Sequence, residues 1–192
     1  MKPLAFFASA ALALVIAQPT MADLEWCNDP PSPAAIWLRC IIVDRDLSGA
    51  NLYYADLSDT QIIRVNLTGA NLEGATYYTA RLTEVNLSHA NLSYADLNGA
   101  TLDEVNLTGA NLTGAILSTA QLNGVNLSGA NLTGARLLAT ELNGVNLTGA
   151  NLTGANLGAA DLNVVNLTGA ILDHATWPDG RICAVGSRGV CN

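Results

Sequence analysis

Few residues of this chain have the type and spacing that catalysis needs. Its two histidines, His89 and His174, form no Ser-His-Asp or Cys-His arrangement. Asp103 and Glu104 are sequence neighbours, so they do not converge as a pair of carboxylates in a cleft would. Cys27, Cys40, Cys183 and Cys191 include no Cys-x-x-Cys spacing. In an exported chain an even number of cysteines reads as two disulfides, with a metal site or free thiols as the other uses. No motif for a metal, a cofactor or covalent catalysis emerges, and the expectation is a protein that is not an enzyme.

The elements that must position any functional residue follow from the rest of the chain. Residues 1–22 read as a secretory signal: Lys2 is the basic start, Leu4 to Ala17 the apolar run, and Thr20 and Ala22 the small residues before a cleavage site ahead of Asp23. The run of about 14 apolar residues is short of the ~20 that span a bilayer. No second such run follows, so no stable membrane insertion is expected after cleavage, and the chain is expected to be exported. The remainder carries seven Arg and no Lys against 16 acidic residues. That balance opposes binding to nucleic acid or to anionic membrane.

From Leu47 to Leu172 every fifth residue is Leu, apart from Ile62 and Tyr77. The unit is A-(N/D)-L-x-x. A period of five is neither that of a helix nor that of a plain strand. Leu and the Ala two places before it share one inward face of a short extended segment, and the polar remainder turns a corner in water. A second period lies above the first, because the Ala position becomes Val at 65, 85, 105, 125, 145 and 165. A 20-residue spacing means four sides per coil. Residues 45–177 thus make nearly seven coils, a rod of roughly 32 Å at ~4.8 Å per coil.

Gly fills the corner after the Val side at 49, 69, 109, 129, 149 and 169, and the next corner at 74, 114, 134 and 154. Those corners are expected to be type II turns, which place a positive φ at the third residue. The other two corners hold few glycines and are expected to use another turn. Residues 23–44 read as an N-terminal cap. Within them Ser32 to Cys40 are expected to form a short helix, with Ser32 as N-cap and Pro33 first. Residues 178–192 read as a C-terminal cap, so that both ends are closed against edge pairing.

These residues resemble the pentapeptide-repeat family. The resemblance covers residues 45–177, and the ending Thr176 to Cys183 is similar to that of secreted members from photosynthetic bacteria, which implies the periplasm or thylakoid lumen as the location. It implies an all-β solenoid, a right-handed quadrilateral β-helix. Tyr77 and Trp177 depart from the central Leu, and Ile116 and Ile171 from the usual Asn or Asp. On such a rod the first two cysteines lie at one end and the last two at the other. A disulfide needs Cα atoms within about 7 Å, so the pairing within one chain is Cys27–Cys40 and Cys183–Cys191. The two histidines fall near 20 Å apart, too far to share a metal.

The register sorts outward residues into columns. The first side (following Val) and the second carry stacked Asn and read as scaffold. Variation is concentrated on the third and fourth sides, with Asp56, Asp96, Glu84, Asp103, Glu104, Glu141 and Asp161. There Arg64 stands beside Glu84, as a surface ion pair. Tyr53, Tyr54 and Tyr94 on the second side and Tyr78 on the third form an outward aromatic group, suited to an interface. These residues are the candidate interaction surface. The expected function is a non-enzymatic structural or protein-interaction module, a monomer presenting these sides to a protein partner. The alternative is a DNA mimic that inhibits a DNA-binding enzyme such as gyrase, as the resemblance implies for some members. Residues 45–177 hold 11 acids and four Arg, whereas duplex DNA places roughly 19 charges on ~32 Å.

Overall fold

The computed structural model describes Cys27 and residues 29–192; the expected signal segment lies outside the described residues. The chain winds as a four-sided parallel β-solenoid. On the fourth side, β1 (Ile41–Val43), β2 (Gln61–Ile63), β3 (Arg81–Thr83), β4 (Thr101–Asp103), β5 (Gln121–Asn123) and β6 (Glu141–Asn143) form one parallel sheet in chain order. Each strand pairs with the residues 20 further on, as in Ile62↔Leu82 and Leu82↔Leu102. These strands account for five turns. On the other three sides single bridges at the same 20-residue step continue the stack, from Ile36↔Asp56 to Asn156↔Thr176 on the third side.

The alternation within each unit explains this arrangement. Leu67 and the Val65 two places before it are buried, as are Leu87 with Val85 and Leu72 with Ala70. Fully burying one such Leu contributes about 2 kcal/mol, and each Leu column packs on itself along the rod. The backbone ladder runs in both directions between coils: Leu67 N–H donates to Asn86 O at 2.7 Å, and Asn86 N–H donates to Val65 O at 3.0 Å. Where Thr60 and Thr140 replace the inward Ala, their hydroxyls donate to Leu57 O (2.6 Å) and Leu117 O (2.8 Å). Tyr77, in a Leu position, is fully buried.

The solenoid begins earlier than the sequence suggested. The helix expected over Ser32 to Cys40 is not formed. Ala34 N–H donates to Tyr53 O (2.7 Å), Trp37 N–H to Asp56 O (2.8 Å) and Arg39 N–H to Ser58 O (3.0 Å), the same ladder as further on. Ala35, Trp37, Cys40 and Ile42 take the inward positions. A helix this short is marginal alone, whereas stacking on the next coil satisfies the backbone and buries an indole. Cys27 pairs with Cys40 across this first coil, with Cα atoms 5.5 Å apart. Arg45 lies 5.7 Å from the Trp37 ring centroid and donates to Cys27 O at 3.2 Å.

The third-side corners also depart from expectation. A positive φ recurs at every fifth residue from Ala34 to His174, whether the residue is Gly or not. The third-side corners therefore match the glycine-rich ones, and each is closed by a turn bond such as Ala80 N–H to Tyr77 O at 2.9 Å. Only the fourth-side corners lack that closing bond among the described residues. Stacking imposes the backbone, and residues such as Asp59, Thr79 and Glu84 adopt a conformation that costs each about 1 kcal/mol. The residue following the open corner is Val from Val65 to Val165, and Arg45 in the first coil. After the three closed corners it is mostly Ala.

At the C-terminal end the chain reverses. Ile171 pairs antiparallel with Arg188 and Thr176 with Ile182, and Cys183 is joined to Cys191. This cap covers the second and third sides. On the fourth and first sides Leu162, Val165 and Leu167 are only partly buried, and Val164 is 83% exposed. The cap expected over residues 178–192 thus covers two of the four sides: the return strands are too short to reach round all four.

Candidate interaction surface

The outward residues of the first two sides are occupied by the scaffold. Asn66 Oδ1 accepts Thr68 N–H at 3.1 Å, which fixes its own corner. Between coils, Asn106 Nδ2 donates to Asn86 Oδ1 at 3.2 Å and Asn111 Nδ2 to Asn91 Oδ1 at 3.1 Å.

The variable acidic residues divide into two kinds. Asp56 and Asp96 do the work of Asn: Asp56 Oδ1 accepts Ser58 N–H (3.0 Å) and Asp96 Oδ1 accepts Asn98 N–H (2.9 Å). Asp103 Oδ1 accepts Asn123 Nδ2 at 2.7 Å. Glu84, Glu104, Glu141 and Asp161 are exposed. No other described side chain donates to their carboxylates. Glu84 and Glu104 occupy one corner column in adjacent coils, and Glu141 bridges to Asp161 on the side next to it.

The ion pair expected between Arg64 and Glu84 is not formed. Arg64 reaches back one coil, and its Nε and Nη2 donate to Asp44 Oδ1 and Oδ2 at 2.7 and 2.9 Å. The fork geometry matches a carboxylate two-for-two, and these bonds hold the Asp44 carboxyl below its usual range. Glu84 is left without a hydrogen-bonded partner, although the Arg64 guanidinium still feels its charge.

Among the aromatics, Tyr53 and Tyr54 meet edge to face with ring centroids 4.4 Å apart. Tyr78 is exposed on the third side. Tyr54 and Tyr94 share a corner column, at φ 54° and 59°. Each ring lies over the glycine one coil further on: a Cβ built on Gly74 would fall 2.7 Å from the Tyr54 ring, and one on Gly114 2.8 Å from the Tyr94 ring. His89 lies over Gly109 in the same manner. Sequence reasoning missed this pairing, although the signal was present: a glycine follows each of these corner rings at 20 residues. His89 and His174 sit in different corner columns, and among the described residues no group of three or more His, Cys, Asp or Glu is placed to hold a metal ion. No described helix is long and apolar enough to cross a membrane.

The four-sided coil is shared with known structures. QnrB1, a plasmid-mediated fluoroquinolone resistance protein, is 23% identical with a TM-score of 0.61, covering 82% of each chain. A pentapeptide repeat protein from the Arabidopsis thaliana thylakoid lumen is 31% identical over 56% of this chain and 81% of that one, with a TM-score of 0.49. No curated protein is significantly similar to the sequence. The sequence model of pentapeptide repeats matches eight copies, over residues 46–76, 80–118, 120–158 and 146–176. Through these repeats, and the coils they build, the chain belongs to the pentapeptide repeat family.

Proposed function

We propose that the protein is a non-enzymatic interaction module of an exported compartment, periplasm or thylakoid lumen, which presents the fourth side of its rod to a basic protein surface. The observation that carries this reading is the set of unpaired carboxylates of Glu84, Glu104, Glu141 and Asp161, on a side whose backbone is fixed by the parallel sheet. The side is acidic on balance, with Arg64 and Arg81 standing among its carboxylates, and such a surface attracts and orients a basic partner more than it tightens the complex. The N-terminal signal pattern and the two disulfides support export. The chain acts as a monomer, with residues 23–44 leading into the repeats and residues 178–192 capping two sides of the last coil. The DNA-mimic reading has less support, since the charge is sparse and the likeness to QnrB1 is one of fold.

The test is a pull-down from the native compartment with the mature chain, beside a triple variant Glu84→Lys, Glu104→Lys and Glu141→Lys. The expected result is a partner captured by the natural chain, released by moderate salt and lost in the variant. Capture that survives charge reversal sinks the reading. Recovery of the mature chain from cytoplasm sinks the compartment.

A further inference from the structure

The aromatic corner points to a different ligand from the acidic side, and its argument is independent of the function proposed above. We infer that Tyr54 and Tyr94 form a stacking platform for an extended β-1,4-linked polysaccharide.

The two tyrosines lie 40 residues apart in one column, two coils along the rod, so their rings repeat at ~9.6 Å. Both adopt the same left-handed backbone. Both rings are backed by glycine, over Gly74 and Gly114. One side of each ring is therefore packed on main chain while the other faces solvent, at 59% exposure for Tyr54 and 65% for Tyr94. The corner residue between the two tyrosines is Gly74, which adds no side chain of its own and lets the Tyr54 ring settle over it. Tyr53, edge-on to Tyr54, extends the apolar surface to one side. A hydrogen-bonding group stands in the next outward column of the same side: the carboxylate of Glu73, partly exposed, whose Oε2 accepts Asn91 Nδ2 at 3.2 Å.

This arrangement suits a linear polymer of sugars. A pyranose ring presents a face of C–H bonds that stacks on an aromatic ring, while its hydroxyls bond to amides and carboxylates at the edge. In a β-1,4-linked chain alternate sugars are turned over, so the same face returns once per disaccharide, a repeat close to two coil heights. A rigid solenoid holds the rings at that interval without ordering cost on binding. A protein hot spot is built differently, from anchors clustered at the centre of one packed patch. The Glu73 carboxylate in the column beside this corner, on an acidic chain, disfavours a phosphate backbone.

The test uses the mature full chain with three insoluble β-1,4-linked probes: microcrystalline cellulose, chitin and purified peptidoglycan. Insoluble starch, whose linkage is α, is the comparison. The expected result is retention on at least one of the three and none on starch. Tyr54→Ala and Tyr94→Ala should each weaken retention by roughly tenfold, while Tyr78→Ala, off the column, leaves it unchanged. Thermal unfolding of each variant shows that the rod is intact. Retention on none of the three probes overturns the proposal. So does equal retention on starch, binding indifferent to both substitutions in folded protein, or a protein that cross-links to the tyrosine corner without any glycan binding.

Discussion

The Tyr54 ring lies over Gly74 so closely that a Cβ on the glycine would fall 2.7 Å from Cε1 and 2.9 Å from Cδ1. The glycine thus serves both its own positive φ and the ring above it. Gly134, in the same column, has the same backbone but nothing within 4 Å of an added Cβ. Gly134→Ala should cost about 1 kcal/mol, the price of an L-residue in the left-handed region. Gly74→Ala should cost more, because the ring must also move. In a Tyr54→Ala background the excess should vanish, leaving Gly74→Ala equal to Gly134→Ala. Chemical denaturation of the four variants closes the cycle. Equal costs for the two glycines in the natural background would show that the ring has no fixed seat.

Tyr77 gives a second prediction. It stands in a column of leucines with no exposure, and its hydroxyl has no hydrogen-bond partner among the described residues. Burial alone pushes its pKa far up. A buried polar group left unpaired costs about 1–3 kcal/mol. Tyr77→Phe removes that group and keeps the ring, so it should stabilise the rod, by about 1 kcal/mol or more. Tyr77→Ala should destabilise by about 3–5 kcal/mol through the cavity it leaves. A loss of stability in Tyr77→Phe, measured by thermal unfolding, would mean that the hydroxyl is bonded after all.

The Cys27–Cys40 bridge closes a loop of 13 residues around the first coil. A loop of that size contributes about 3 kcal/mol by restricting the unfolded chain. In a repeat rod each coil is held by its neighbours alone, so the loss should be local. Reduction should speed amide exchange at Trp37 and Arg39, whose N–H groups bond to the next coil. Leu112 and Leu132, mid-rod, should exchange as before. Uniform loss of protection along the rod would instead show that the coils unfold as one.

The strict period made the repeat coils readable, because every inward Leu and Ala states the same register. It misled where that statement was made in other residues. At Trp37 and Cys40 the inward positions are filled by an indole and a disulfide, and Pro33 after Ser32 imitated a helix start. The third-side corners were misread for a related reason. Gly reports a left-handed backbone where it occurs, but ladder bonds between coils impose the same backbone on Asp59 and Thr79. Side-chain direction was out of reach too. Register places Arg64 equally near Asp44 and Glu84, and only the geometry of the fork selects Asp44. At the candidate surface the residue types and columns were legible, while the seating of Tyr54 and Tyr94 on glycine required coordinates.

The C-terminal cap should be sensitive to acid. Asp173 Oδ1 accepts bonds from Arg188 Nη1 at 2.7 Å and Gly186 N–H at 2.8 Å, tying the returning segment to the second side. Arg188 first, then the Gly186 N–H and the charge of His174, hold the Asp173 carboxyl below its usual range despite some desolvation. A carboxylate with a lowered pKa in the folded state stabilises that state above its unfolded value near 3.8. The contribution is lost as pH falls through the folded value. Amide exchange at Gly186 and Gly189 should therefore rise below pH ~4 while mid-rod amides stay protected. Asp173→Asn should remove this step and leave the cap loosened at neutral pH. A cap whose exchange is flat with pH in the natural chain and unchanged in Asp173→Asn would show that the disulfide and the antiparallel bridges hold it without the carboxylate.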